Sequence, residues 1–287
     1  MSAFNPAPSK PKLALPRGAC DTHFHVVGPR GRFPLAAQRS YTPEGDAPKD
    51  KLFGLHAHLG VERGVVVQSA VHGFDNAAAA DLIAARPGSY RGVALVPIDV
   101  ADTELKKLAA QGFLGARFHF MKHLSSGVSV EDVISFGTRL AKLEWHLQLH
   151  LDATLIEQMA PTLKRAPVPL VIDHMARIDA SKGLQDPAFL NLLNLLQDQN
   201  IWVKVSGSER ASRRSSPWKD AVPFARKLVA EFGERTLWGT DWPHPNLKEV
   251  PDDGVLVDLI AEIAPAAGAR RALLVDNPQR FYKFDRE

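Results

Sequence analysis

Several things are scarce in this 287-residue chain, and each scarcity excludes a class of protein. There is one cysteine, Cys20, so no intramolecular disulfide framework can form, and a reducing compartment suits the chain. Cys20 lies in an apolar stretch, where a buried structural thiol is expected rather than a reactive one. No apolar run approaches the length of a membrane span. The stretch Met1 to Lys10 is rich in proline and polar residues and lacks an apolar h-region. Neither a signal peptide nor an anchor is expected, and the chain is placed in the cytoplasm. An excess of one charge is missing too: 35 Lys and Arg face 32 Asp and Glu, a net charge of +3. That balance leaves no polybasic footprint for nucleic acid, so anion recognition would rest on a few placed arginines. No Gly-x-Gly-x-x-Gly follows an expected strand and no Walker A sequence occurs, which weakens dinucleotide and nucleoside triphosphate readings.

What is present is alternation. Apolar runs at 19–27, 64–69, 91–97, 115–120, 145–152, 169–174, 201–206 and 236–241 read as strands. Helical patterns at 49–59, 76–85, 102–111, 130–143, 155–164, 186–198 and 217–232 separate them, and a largely helical tail covers 258–281. The strands are mostly continuous apolar runs, as parallel strands buried on both faces require. Eight such units predict a single-domain α/β protein, a (β/α)8 TIM barrel over 19–287, preceded by a flexible segment 1–18. A long loop, 28–48, follows strand 1; loops of that length often serve function.

In such a barrel, chemistry sits at the C-terminal strand ends. Strand 1 carries His23 and His25, which are two residues apart and so aim at one side. Strand 4 carries Arg117 and His119, with His123 just beyond. Strand 5 ends in His150, strand 6 in Asp173 and His174 with Arg177 following, and strand 8 in Asp241. Arg210 follows strand 7. Histidine is not a strong strand former, so this clustering at strand ends points to a shared polar site. His23, His25 and His150 are nitrogen ligands suited to Zn2+, and Asp241 can add an oxygen. Asp241 is also placed to take a proton from an attacking water. His174 either orients that water or polarises a carbonyl. Arg117, Arg177 and Arg210 suit a carboxylate or sulfonate. Arg117 is the strongest of the three, since a strand arginine needs an internal partner; Asp173 and Asp179 are near enough in sequence to pair with Arg177. His56 and His58 read as packing or surface residues, and His146 as a residue of the barrel bottom. Nothing fixes the direction of His72 and His244. Tyr41, on the long loop, either reaches over the site or packs beneath the loop.

Several stretches together resemble a known group: Asp21-Thr22-His23-Phe24-His25-Val26, Tyr41-Thr42-Pro43, Arg117-Phe118-His119-Phe120, Asp173-His174-Met175-Ala176-Arg177, Val203-Lys204-Val205-Ser206-Gly207 and Trp238-Gly239-Thr240-Asp241-Trp242-Pro243-His244. The chain resembles the amidohydrolase superfamily from about Cys20 to Phe281, in the branch related to 2-pyrone-4,6-dicarboxylate lactonase. The resemblance implies a hydrolase that opens a small anionic lactone by adding water to the ring carbonyl. Asp241 would be the general base, and His23, His25 and His174 would polarise the carbonyl and hold the water. Arg117, Arg177, Arg210 and Tyr41 would bind substrate carboxylates, with His119 and His123 beside them. Two departures bear on this. That lactonase has an arginine where this chain has His123, and a tyrosine where it has His150. It works without a metal, whereas His150 restores the strand-5 ligand of metal-binding members. The resemblance thus tilts toward one divalent ion, zinc first, on His23, His25, His150 and Asp241, with metal-free catalysis as the alternative. Candidate substrates extend to a sulfonated muconolactone or a sugar-acid lactone. Lactone isomerisation, metal-dependent decarboxylation and non-catalytic organic-acid binding are the competing activities. A monomer and a homodimer are both compatible with the sequence.

Overall fold

A computed structural model describes residues 4–39, 41–121, 127–247 and 249–284. The elements run in the order β1 (Cys20–Phe24), α1 (Lys49–Leu59), β2 (Arg63–Val67), α2 (Ala77–Ala85), β3 (Tyr90–Ala94), α3 (Asp102–Ala110), β4 (Phe113–His119), α4 (Val130–Ala141), β5 (His146–His150), α5 (Ile156–Leu163), β6 (Leu170–Ile172), α6 (Pro187–Leu195), β7 (Ile201–Lys204), α7 (Ser208–Ala211), α8 (Val222–Phe232), β8 (Thr236–Leu237) and α9 (Asp253–Ile263). Two short helices, α10 (Ala267–Arg271) and α11 (Asn277–Phe281), end the chain around a π-helical turn. All eight strands are parallel and neighbour one another in sequence order. The seam between β8 and β1 closes through backbone hydrogen bonds: Thr22 N–H donates to Trp238 O (2.9 Å), and Asp241 N–H to His23 O (2.7 Å). The expected (β/α)8 barrel is therefore the observed one.

Several expected boundaries differ, and three of them have a plain physical reason. β6 and β8 stop at Ile172 and Leu237, short of the polar residues expected inside them. His174, Met175, Ala176 and Arg177 all take positive φ (47°, 51°, 54° and 57°), and Asp241 does too (63°). Left-handed backbone cannot continue a strand, and such runs are rare outside glycine. The last major helix begins at Asp253 rather than 258, because the Asp252 side chain accepts from Gly254 N–H (2.8 Å) and caps it. Residues 4–18, expected to be loose, are tied down at several points. Asp252 accepts from Ser9 N–H (3.0 Å), Asp258 accepts from the Lys12 and Leu13 N–H groups (2.7 and 2.9 Å), and the Phe4 ring lies 5.1 Å from that of Trp242.

The main apolar core lies between the strands and the helical ring. A second cluster, including Cys20, Val65, Val67, Val93, Val171 and Leu237, fills the barrel interior and is completed by Trp202, Tyr282 and Phe284. Burial pushes the Cys20 thiol pKa up, in line with a structural thiol. His146, at the foot of β5, packs its buried ring against Phe281 and Tyr282 beside this plug, and the polar side chains of the site lie above it.

Gly239 shows how tightly the seam is drawn. A Cβ there would meet His23 N at 2.4 Å and Asp21 Oδ1 at 2.7 Å. Gly239→Ala is expected to cost at least ~1–3 kcal/mol, the range for overpacking, seen as a clear fall in melting temperature; an unchanged melt would show that the seam can relax.

Candidate active site

The site starts with an irregularity in β1. Asp21 is in register with Gly64 and Phe24 with Val66, so β1 spends one extra residue between them. Such a bulge reverses the alternation of side chains. Asp21 therefore serves the outer layer, where Thr240 Oγ1 donates to it (2.6 Å) and His56 Nε2 lies 3.3 Å away. His23 turns inward. His25, just past the strand, follows it, and the two rings meet edge-on at 5.1 Å.

Both rings converge on Asp241. Its Oδ1 lies 3.3 Å from His25 Nε2 and 3.7 Å from the Nε2 atoms of His23 and His174. Its Oδ2 accepts from Arg210 Nε. Burial alone would raise the Asp241 pKa, but the Arg210 guanidinium, with the His25 contact, holds it well below the usual carboxylate range. Desolvation likewise pushes the His174 pKa down to about 3 and that of His23 well down, so both rings are neutral. Above them opens a cavity of about 330 Å3 lined by His25, Tyr41, Ser69, Arg117, His119, His150, His174, Arg177, Arg210 and Asp241. The volume suits one small ligand.

The arginines divide in an unexpected way. Arg117 donates to Asp173 Oδ2 (2.8 Å) and is buried. Arg210 is shared between Asp241 and the Pro245 carbonyl (3.1 Å). Arg177 makes no ion pair among the described residues: Asp173 is taken by Arg117, and Asp179 by Arg213 (3.0 Å). Burial and the neighbouring Arg210 lower the Arg177 pKa to about 10, so it is a charged guanidinium turned to the cavity with no carboxylate of its own. The left-handed turn 174–177 delivers it and His174 to one cavity.

The other histidines take different places. His119 and His150 are cross-strand partners, with Nδ1 atoms 3.3 Å apart, and both line the cavity wall. Tyr41 lines the cavity, hydrogen-bonded to Ser69, with burial raising its pKa to about 12. His123 lies outside the described residues. His72 holds the long loop, its Nδ1 2.9 Å from Pro34 O and its Nε2 accepting from Gly28 N–H (3.2 Å). His244 bonds Asp253 (2.9 Å). Three buried polar residues escaped the sequence reading as site residues: Lys204, Gln148 and Ser206. Lys204 Nζ donates to Thr22 O (2.8 Å) and Gln148 Oε1 (2.9 Å), and Ser206 Oγ is 3.0 Å from His174 Nδ1. The signal for Lys204 was available. A lysine inside Ile201-Trp202-Val203-Lys204-Val205 needs an internal partner as much as Arg117 does.

A family model described as amidohydrolase matches residues 20–284. The chain belongs to the amidohydrolase family. A 2-pyrone-4,6-dicarboxylate hydrolase of Comamonas testosteroni is 44% identical to this amidohydrolase over 285 residues, covering 96% of this chain and 93% of that one. A 4-sulfomuconolactone hydrolase of Hydrogenophaga intermedia is 36% identical, with 94% and 90% covered. Among solved structures, a putative 2-pyrone-4,6-dicarboxylic acid hydrolase from Pseudomonas putida superposes with a TM-score of 0.82 at 34% identity, covering 96% of this chain and 100% of that one.

The metal question can be put to the donors themselves. Among the described residues, donor atoms of His23, His25 and Asp241 lie within 4.8 Å of one another. His25 is oriented as a ligand: its Nδ1 faces Val67 O at 2.8 Å, which leaves the Nε2 lone pair toward the site. His23 Nε2 is buried without a hydrogen-bond partner. The set fits a divalent cation in composition and spacing. His150 is outside this group, held toward His119 by the β4–β5 register.

The two arginines separate by experiment. Arg117→Met leaves the buried Asp173 short of a cation and is expected to destabilise this amidohydrolase by ~3–5 kcal/mol. Arg177→Met breaks no protein ion pair, so its melting temperature should stay near wild type. Equal destabilisation of the two variants would contradict this division.

Proposed function

We propose that this amidohydrolase opens a small dianionic lactone, 2-pyrone-4,6-dicarboxylate or a close analogue from aromatic-compound breakdown, by hydrolysis. The observation that carries the reading is an ionised Asp241 under three histidines, facing a cavity whose Arg177 guanidinium makes no ion pair among the described residues. The 44% identity to a hydrolase of that name supports it.

The substrate's carboxylates take Arg177 and the free donors of Arg117 and Arg210, with Tyr41 and His119 completing the wall. This sets the ring carbonyl over the histidines. Asp241 takes a proton as water oxygen bonds to the carbonyl carbon, and the carbonyl π pair moves to oxygen. The neutral histidines stabilise the oxyanion through N–H groups and orient the water. Collapse re-forms the C=O, breaks the ring C–O bond and returns the proton from Asp241 to the leaving oxygen. Arg210 keeps Asp241 charged and aimed between turnovers.

A second reading follows from the three converging donors. His23, His25 and Asp241 would hold one divalent ion such as Zn2+, with His150 as a further ligand if its ring turns. Such an ion supplies Lewis acidity and a more acidic water. Chelator treatment with metal analysis separates the two readings. The 4-sulfomuconolactone and sugar-acid lactones, isomerisation and decarboxylation are distinguished by product analysis across a lactone panel. Binding without turnover of any of them would favour an organic-acid-binding barrel.

Asp241→Asn is expected to lower kcat by ~10²–10⁴, the usual worth of a positioned base; wild-type turnover would remove Asp241 from this role. Arg177→Met should raise KM by about 10–100-fold, the worth of a charged hydrogen bond, with a smaller change in kcat. The sign of the pH dependence follows from the depressed Asp241 pKa. The base form exists above that pKa and is lost only as pH falls through it. kcat/KM should therefore hold level down to about pH 4, the ordinary carboxylate value. An acid limb centred near pH 6 would assign the titration to another group.

A further inference from the structure

We propose that Lys204 is a positioning residue that fixes the tautomer of His23, so that His23 turns an Nε2–H donor rather than a lone pair toward the reacting carbonyl. The inference rests on the hydrolase reading for its purpose, but not for its geometry.

Hydrogen counting carries it. Lys204 is fully buried on β7, and its ammonium has three N–H groups. Two are committed, to Thr22 O at 2.8 Å and Gln148 Oε1 at 2.9 Å. The third has two acceptors in reach. His23 Nδ1 is at 3.3 Å with hydrogen-bond geometry, and Asp173 Oδ1 is at 3.7 Å. The nearer acceptor is the imidazole. Asp173 has less need of the lysine, because Arg117 and Gln148 already donate to its Oδ2 (2.8 and 3.2 Å). Its Oδ1, 3.2 Å from His23 Nδ1, is the competing partner, close enough to act on the pKa values of both groups but outside hydrogen-bond geometry. A neutral imidazole that accepts at Nδ1 carries its proton on Nε2. That Nε2 is buried, unpartnered and 3.7 Å from Asp241 Oδ1.

His25 is the opposite case. Its Nδ1 faces the Val67 carbonyl, an acceptor only, so its Nε2 presents a lone pair. The two histidines therefore divide the work. His23 offers a donor to the carbonyl oxygen, and His25 offers an acceptor to the water. The same arrangement withdraws His23 from any cation, because a protonated Nε2 cannot ligate. Lys204, and not His150, then decides between metal-assisted and direct polarisation.

The test is 15N NMR of histidine-labelled protein, with zinc titration of wild type and Lys204→Met. In wild type, His23 Nε2 should resonate as a protonated nitrogen and Nδ1 as a bare one. In Lys204→Met, Nδ1 is free to donate to Asp173 Oδ1, and the two signals should exchange. Zn2+ affinity should rise about tenfold or more, the usual worth of an outer hydrogen bond to a ligand, while kcat falls with KM little changed. A wild-type His23 protonated on Nδ1 overturns the proposal. So does a folded Lys204→Met protein that keeps the wild-type tautomer, whatever its zinc affinity. The wild-type spectrum decides even where the variant does not fold. Neither the spectrum nor the zinc titration needs a substrate, so a failed lactone assay does not touch them.

Discussion

One buried carboxylate holds the upper barrel together. Asp173 faces Arg117 at 2.8 Å and Lys204 at 3.7 Å, and all three side chains are almost entirely removed from water. Two cations in a barrel interior would be untenable without it, since an unpaired buried charge costs several kcal/mol. Their presence drives Asp173 well below the usual carboxylate range against the effect of burial. Gln148 bridges Asp173 to Lys204, and Lys204 in turn touches both the backbone and the ring of β1's histidine region. This charged layer sits between the apolar plug and the cavity. It converts an ordinary packed barrel into a platform on which imidazoles can be aimed.

Above that platform the labour is divided by secondary structure. Strands supply the floor: Arg117 and Lys204 sit in the β4–β5 and β7–β8 ladders, and His23, at the bulge, is held by Asp241 N–H on its carbonyl and by its own N–H on Asp21 Oδ1. Loops and the short helix α7 supply the walls: Tyr41, Arg177 and Asn246 from loops and Arg210 from α7. Asp241, His25 and His174 lie past the strand ends and are held there by Arg210, by the Val67 carbonyl and by Ser206 respectively.

Much of this was legible in the sequence, and the failures are instructive. The eight apolar runs identified the barrel because parallel strands buried on both faces leave no polar alternation. His23, His25, His174 and Asp241 stood out as polar residues at the ends of such runs, and they do converge. The bulge that turns Asp21 outward and His23 inward was not legible, since nothing in the residue types there marks an extra residue. The left-handed turn at 174–177 was equally hidden, because it contains no glycine or asparagine. Arg117 and Lys204, three strands apart, are strand cations that each need an internal partner, and Asp173 lies near both. His150 was read as a metal ligand by position. Whether it faces a metal depends on the register of β4 against β5, which pairs it with His119.

The N-terminal segment has a practical bearing. Its Phe4 ring rests against Trp242, the residue that follows Asp241, while Ser9, Lys12 and Leu13 are pinned to the residues that open and line α9. A fusion placed at that end is delivered to the rim of the loop that bears Asp241. A polyhistidine tag there would bring imidazoles to the neighbourhood of a site whose own imidazoles are in question, and would supply a competing sink for zinc.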